Sequence, residues 1–557
     1  MKKFLTLIAL TFFISNAQAQ FQISYKAGQT DVNGNFMGGT EMRLLCQHKG
    51  KLFGGIETWM DTVWTGSPDP YIGAQILRLD NPTGQWQLDH HFDSIRNNPM
   101  AGQRTLFRNE GVVALESIIF INDSLGNPLS QPDTLLIAAC RDFNGIASVY
   151  TRNDLTGAWT ETVIAPSIST KATIRSLSIY RDKMTNADLA FAGCLPQGLI
   201  AGVYDNTLPG KIRWRTAEIT ADTTNIGVAG SGSWQGRPMA FTECNGALYC
   251  AAAPIVLRRN DGNFPTWTEV VRYPLIATPG GSSGLRGITA VANPTGAGQS
   301  LIAAMEGGNG VMARTTPSGS LPFPVVTELN IMTNLTTAWA SIPPAISAAY
   351  VVIANSEMTR VEDPMNGDSC LIITIQHHPA LSRDDAFYYI RRQNGATINY
   401  QLMRIDNTIL TTPIVLNSTR ACQLSPFTSD SSNYIYFGGY DADDNPTHNA
   451  AYVLRTSVMN AFGYGNSSGI EDVTEEVNNG LLIYPNPAQN SFTVEAFSND
   501  WQTSQVIISD LSGKQVQVFS LTNSSKNQFD ISALPKGMYI VNVANGTKSF
   551  SKKLIVQ

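Results

Sequence analysis

A short strand followed by a polar turn recurs seven times between residues 76 and 456, and this repeat limits the possible folds more than any other feature of the chain. The copies are Ile76-Leu77-Arg78-Leu79-Asp80, Val149-Tyr150-Thr151-Arg152, Val203-Tyr204-Asp205, Val256-Leu257-Arg258-Arg259, Val311-Met312-Ala313-Arg314, Tyr389-Ile390-Arg391-Arg392 and Tyr452-Val453-Leu454-Arg455. Each of the first six leads through a turn to an aromatic residue that would open another strand: Trp86, Trp159, Trp214, Trp267, Phe323 and Tyr400. Each copy also follows an apolar strand ending in small residues, such as Leu52-Phe53-Gly54-Gly55 or Leu136-Ile137-Ala138-Ala139, with one further strand upstream. The repeating unit is thus a four-stranded antiparallel meander.

A meander of this kind cannot bury both faces alone, so the copies must stack, and β-propellers do this with four-stranded blades. The expectation for residues 20–462 is an all-β fold, a β-propeller of seven blades, with six or eight as the alternatives that long loops leave open. The seventh copy lacks an aromatic fourth strand. Phe21-Gln22-Ile23-Ser24-Tyr25 could supply it and close the ring.

The N-terminus has the form of an export signal, with basic Lys2-Lys3, an apolar run over 4–14 and the small-residue site Asn16-Ala17-Gln18-Ala19. Residues 1–19 are therefore expected to be a signal peptide. No later stretch approaches the roughly 20 apolar residues of a transmembrane helix. A net charge of -6 with no basic stripe gives no surface for nucleic acid. The seven cysteines lack C-x-x-C or Cys/His metal spacing and mostly sit in apolar runs, which predicts buried thiols, one or two disulfides being the alternative. Cys244 and Cys250 flank an Asn245-Gly246 turn that is expected to set Ala240, not Cys244, opposite Cys250, so a bridge between them is not expected.

Residues 463–480 are polar and aperiodic and are identified as a linker. About seven short runs over 481–557, split by turn residues, predict a small C-terminal β-sandwich. Four motifs occur there in order: Tyr484-Pro485-Asn486-Pro487-Ala488, Ile508-Ser509-Asp510-Leu511-Ser512-Gly513-Lys514, Leu534-Pro535-Lys536-Gly537-Met538-Tyr539 and Lys552-Lys553-Leu554-Ile555-Val556. In these the segment resembles the C-terminal sorting domain of the Bacteroidetes type IX secretion system. The resemblance implies the type IX machinery as a partner, with Tyr484, Pro485, Asn486 and Pro487 in the sorting motif, and release into the medium or display on the outer cell surface. It says nothing about the activity of residues 20–462.

Enzyme signatures are weak. Gly280-Gly281-Ser282-Ser283-Gly284 has the letters of a nucleophile elbow but not its strand–turn–helix setting. Asp441, Asp443 and Asn445 could hold Ca²⁺ on a carboxylate-rich hairpin, although Pro446 and Tyr452 stand where an EF-hand needs Gly and Glu. No catalytic residue, other metal site or cofactor is indicated.

Ring geometry brings together the second-to-third-strand loops of units one, six and seven. These carry Trp59, Asp61 and Trp64; His377, His378 and Asp385; and Asp441 and His448. Aromatic faces beside hydrogen-bonding groups suit a carbohydrate or peptide. An arginine also recurs before the innermost strand, as Arg43, Arg175, Arg237, Arg286 and Arg420. Two roles are open to it: an anion-binding rim around the channel, or pairing with carboxylates of the adjoining unit. With Arg43 and Arg420 at the border of the loop cluster, the expected ligand is an extracellular glycan, acidic or sulfated, or a protein. The alternative is a hydrolase or lyase acting on an extracellular polysaccharide. Its acids and bases would come from Glu57, Asp61, Asp385, Asp441, His377 and His378.

Overall fold

The computed structural model describes residues 21–464 apart from 59–71, 93–106, 168–171, 196, 220–236, 274–283, 308–309, 341–349, 354–357, 379–385, 406–415, 417, 431–432 and 441–448; within 481–556 it omits 485–487, 497–503, 511–512, 523–525 and 545–548. The chain divides into two compact units, residues 1–466 and 467–557.

In the first, the repeat folds as seven four-stranded antiparallel meanders. Unit one comprises Glu41–His48, Lys51–Glu57, Gln75–Leu79 and Gln87–His91. Unit two comprises Asn109–Asn122, Pro128–Asp142, Ala147–Arg152 and Trp159–Ala165; unit three, Ala172–Arg181, Asp188–Leu195, Gly198–Tyr204 and Ile212–Ile219. Units four and five run from Arg237–Cys244 to Thr266–Arg272 and from Leu285–Ala292 to Val325–Asn330. Unit six has a first strand in two pieces, Tyr350–Ile353 and Thr359–Glu362, both paired with Ser369–His378. Unit seven has three consecutive strands, Ser418–Leu424, Tyr434–Tyr440 and Tyr452–Ser457, and takes Gln22–Lys26 as its fourth, Gln22 facing Arg455. The first strand of each unit touches that of the next, and the contacts return from unit seven to unit one. Among the described residues, helix is found at Ile331–Ala340, in a single turn at Val458–Ala461 and in a 3-10 turn at Thr428–Asp430.

The small residues closing each second strand have a steric cause. A Cβ added at Gly55 of unit one would lie 3.0 Å from Val112 of unit two, and one at Gly193 of unit three 2.8 Å from Pro238 of unit four. Larger side chains there would hold neighbouring units apart.

The recurring aromatics have an electrostatic cause. Trp159 Nε1 donates to Asp89 in the fourth strand of unit one at 2.8 Å, and Arg152 grips the same carboxylate through two nitrogens. Trp267 and Arg259 hold Glu218 of unit three in the same manner, and Tyr400 and Arg391 hold Glu328 of unit five. The arginine of the strand-turn repeat and the aromatic that follows it thus form one latch onto the preceding unit. Phe323 has no donor; it packs into the core shared by units four and five, and its backbone amide bonds Val270 instead.

All seven cysteines are free, six buried and Cys422 partly so. The register around Cys250 differs by one residue from that expected: Phe241 faces Cys250 and Ala240 faces Ala251, with a bulge only further on, between Ala240 and Pro238. A two-residue loop at Asn245-Gly246, both with positive φ, makes Cys244 and Ala247 the closing pair, and counting back from them gives Phe241.

In the second unit, Leu481–Tyr484, Ser491–Ala496 and Lys526–Asp530 form one sheet, and Gln515–Ser520, Gln505–Asp510, Gly537–Ala544 and Ser549–Val556 another. Phe492, Val494, Val506, Ile508, Val541 and Leu554 meet in their common core. Asp510 and Gly513 close the 505–520 hairpin, with Gly513 at φ +82° and Lys514 N donating to the Asp510 side chain. This is the local reason for the Asp-x-x-Gly-Lys motif.

Candidate functional site

The first strands of units one to five and seven carry a β-bulge near their start, and in units one, three, five and seven an arginine sits in it: Arg43, Arg175, Arg286 and Arg420. A bulge leaves one residue without a cross-strand partner and re-aims its side chain. Arg237 is the exception, paired with Ala253 at the start of its strand. The recurrence seen in the sequence is therefore a recurrence of backbone geometry.

These guanidinium groups meet carboxylates that stand at the starts of first strands and the ends of second strands. Arg43 and Arg141 both bond Glu57, the latter at 2.5 Å, and Arg141 also bonds Glu110. Arg237 and Arg286 share Glu306. Arg420 reaches Glu41 of unit one at 3.0 Å and donates to Gln376 of unit six. Arg141–Glu57, Arg237–Glu306 and Arg420–Glu41 each join one unit to its neighbour. Pairing of this kind is one of the two roles the sequence left open for the arginines.

Glu41 and Glu57 face each other across the first two strands, and both are fully buried. Burial, with the Glu57 carboxylate behind it, pushes Glu41 up to about 7 against the pull of Arg420. For Glu57, burial is outweighed by Arg141, Arg43 and Arg175, which hold it well below the usual carboxylate range. One of the two is thus held charged, and the other titrates near neutrality. Neither reaches solvent, so Glu57 is closed to the acid–base role considered for it.

Below this layer lies a cavity of about 440 Å³. Arg43, Arg420 and Arg360 line it together with Gln47, Gln423 and Thr289. Its walls come from the first strands of units one, two, four, five, six and seven, with Thr374 from the second strand of unit six.

Of the ten ligand-binding candidates read from the sequence, Arg43 and Arg420 lie on this cavity. Trp59, Asp61, Trp64, Asp385, Asp441 and His448 lie outside the described residues, as do Asp443 and Asn445 of the calcium reading. For His377 and His378 the strand backbone is described, facing Val351 and Tyr350. Of the sorting motif, Tyr484 ends a strand, and Pro485, Asn486 and Pro487 lie outside the described residues. Among the described residues, no group of three or more His, Cys, Asp or Glu side chains is placed to hold a metal ion.

Sequence reasoning missed Glu41, Glu110, Arg141, Glu306 and Arg360. A signal existed for two of them. Glu57, Arg141 and Glu306 each stand two residues after the small-residue pair that ends a second strand, as in Gly54-Gly55-Ile56-Glu57 and Ala303-Ala304-Met305-Glu306.

The first unit is thus an all-β array of repeated meanders around a polar, arginine-lined cavity, carried on a chain with a small two-sheet C-terminal unit. Residues 482–557 match the family described as the secretion system C-terminal sorting domain, and the chain is accordingly exported through the type IX system, to the medium or the outer surface. No curated protein sequence matches the chain significantly. Among solved structures it is similar to PorZ, an essential surface component of the type IX secretion system of Porphyromonas gingivalis, at 12% identity over 93% of this chain and 59% of that one, with a TM-score of 0.40. It is similar also to the extracellular domain of the putative hybrid two-component system BT3049 of B. thetaiotaomicron (12%, 97% and 58%, TM-score 0.39) and to the BP39L lectin of Burkholderia pseudomallei (11%, 79% and 96%, TM-score 0.39). The chain therefore spans under two thirds of the length of the first two. No helix among the described residues is long and apolar enough to cross a membrane.

Proposed function

We propose that the seven meanders are the blades of a closed β-propeller spanning residues 20–462, and that this propeller is a binding module for an extracellular glycan or protein. In this reading residues 1–19 are removed as a signal peptide, 463–480 is a linker and 481–557 is the sorting domain. The observation that carries the binding reading is the cavity of about 440 Å³, whose arginine, glutamine and threonine walls offer hydrogen bonds to a polar ligand. Trp59, Asp61, Trp64, His377, His378, Asp385, Asp441 and His448 complete the site on the loops of units one, six and seven, beside Arg43 and Arg420. Ca²⁺ at Asp441, Asp443 and Asn445 is a subsidiary possibility within those loops.

The hydrolase or lyase reading is the alternative. It now rests on Asp61, Asp385, Asp441, His377 and His378, since Glu57 is sealed in ion pairs.

A glycan array probed with the secreted chain tests the proposal. Hits biased toward uronic-acid or sulfated chains, weakened in Trp59→Ala, are expected. Depolymerisation of the bound glycan would favour the enzyme. No retention of any glycan or extracellular protein would overturn both.

A further inference from the structure

Arg175 differs from the other inward arginines. It occupies the bulge of unit three, is partly buried, and its Nε is out of solvent without a hydrogen-bond partner. Among the described residues no carboxylate lies within ion-pair distance of it. Among the described residues the anion that acts on it most strongly is Glu57, already bonded by Arg43 and Arg141. The other charges that act on it most strongly are cations: Arg141, Arg43 and Arg237. Arg43 adds to the imbalance, because its Nε and Nη2 are also buried and unbonded.

A guanidinium group carries its donors in a rigid planar fork and cannot relieve like-charge crowding by losing its proton at physiological pH. Unbonded buried donors cost free energy, and an oxyanion between two forks satisfies them with charge-assisted hydrogen bonds. Burial and then the neighbouring Arg141, Arg43 and Arg237 push Arg175 well below the usual arginine range.

We infer that Arg175 and Arg43 form an oxyanion-binding site at the inner layer of units one and three, taking a sulfate, phosphate or carboxylate group. The inference rests on the binding reading only for the source of the anion. A free inorganic anion and the anionic substituent of a sugar chain share the chemistry, and the test separates them.

The secreted chain is melted in sodium sulfate, in phosphate and in chloride at matched ionic strength, and is then titrated with a sulfated oligosaccharide and its desulfated counterpart. Sulfate or phosphate is expected to raise Tm saturably, by about 3 °C at a hundredfold excess over Kd, and chloride is not. Arg175→Gln is expected to lose that response and, with one buried cation fewer, to melt no lower than the parent in chloride. Arg175→Lys, which keeps the charge but not the fork, is expected to weaken sulfate at least tenfold. A preference of tenfold or more for the sulfated oligosaccharide, lost in Arg175→Gln, identifies the sugar chain as the source; equal affinities with the inorganic response intact identify the free anion. An unchanged anion response in both variants, or no anion effect beyond chloride, overturns the inference. Neutral glycan binding without any anion effect would overturn it alone and leave the binding reading in place.

Discussion

Trp86 donates its indole N–H to Ser24 Oγ at 3.0 Å, and through this bond the first unit holds the fourth strand of the last. Tyr25 of that strand and Phe21 just ahead of it are each 1% exposed, so the segment is part of the core and not an appendage. Tyr25→Ala is expected to destabilise the first unit by roughly 3–5 kcal/mol, while Ser24→Ala costs about 1 kcal/mol. Guanidinium denaturation of the two variants beside the parent measures both. Equal midpoints for Tyr25→Ala and parent would show that the segment does not contribute to the fold.

The latch between units one and two converges on Asp89, whose side chain is 1% exposed and accepts from Arg78, Arg152 and Trp159. Asp89→Asn removes the carboxylate that Arg78 and Arg152 share, leaving each with one, Asp80 and Asp154, and is expected to cost roughly 2–3 kcal/mol. Trp159→Phe removes a single hydrogen bond and is expected to cost about 1 kcal/mol. Thermal melts of the pair should differ accordingly. If Asp89→Asn is as mild as Trp159→Phe, the carboxylate is not the centre of the latch.

Two sets of carboxyl groups give stability opposite dependences on pH. In Asp182, burial is outweighed by the Arg259 hydrogen bond and the Thr185, Gly262 and Met184 amides, leaving a value of about 2. A depressed folded value contributes stability that is full above the unfolded value of about 3.9 and is lost as pH falls through about 2. Glu41 is raised to about 7, so its contribution is present below the unfolded value of about 4.3 and is lost as pH rises through 7. Asp182→Asn should flatten the acid limb of a denaturation-midpoint profile, and Glu41→Gln the limb between about pH 4 and 7. A parent profile with no slope in the second interval would contradict the assignment for Glu41.

Buried thiols should be chemically silent. Burial pushes Cys422 and Cys244 up to about 12 and raises Cys140, Cys194 and Cys250 as well. Since the thiolate is the reactive form, the native protein is expected to react slowly or not at all with a thiol-disulfide reagent, and all seven groups to react in denaturant. Fast native labelling of more than one cysteine would contradict the packing.

The repeat, the small-residue strand ends and the aromatic openings were legible in the sequence, because each is a local pattern with fixed turn chemistry, and the pairing of residues 22–26 with the last unit was legible from the fourth strand that unit lacked. The sorting domain was legible for another reason, its ordered motifs. The ion-pair partners were not. Nothing in the spacing of Arg420 and Glu41 shows that the 378 intervening positions fold away and leave them 3.0 Å apart. The register at Cys250 needed only a correct count from the Asn245-Gly246 loop. The bulges that aim Arg43 and Arg175 inward leave no compositional trace, since the residue in the bulge is not glycine.

The pairing of Gln22 with Arg455 joins positions 433 residues apart. Closing a chain segment of that length costs about 5 kcal/mol in loop entropy before the contact returns anything. The edge formed by Tyr452–Ser457 therefore stays open until the oldest part of the polypeptide finds it, and the rate at which it is covered is set by topology and not by local propensity. An affinity tag fused directly ahead of Phe21 would crowd that step, whereas the same tag placed elsewhere would not. Preparations differing only in tag position should accordingly differ in how much of the chain associates through the uncovered edge.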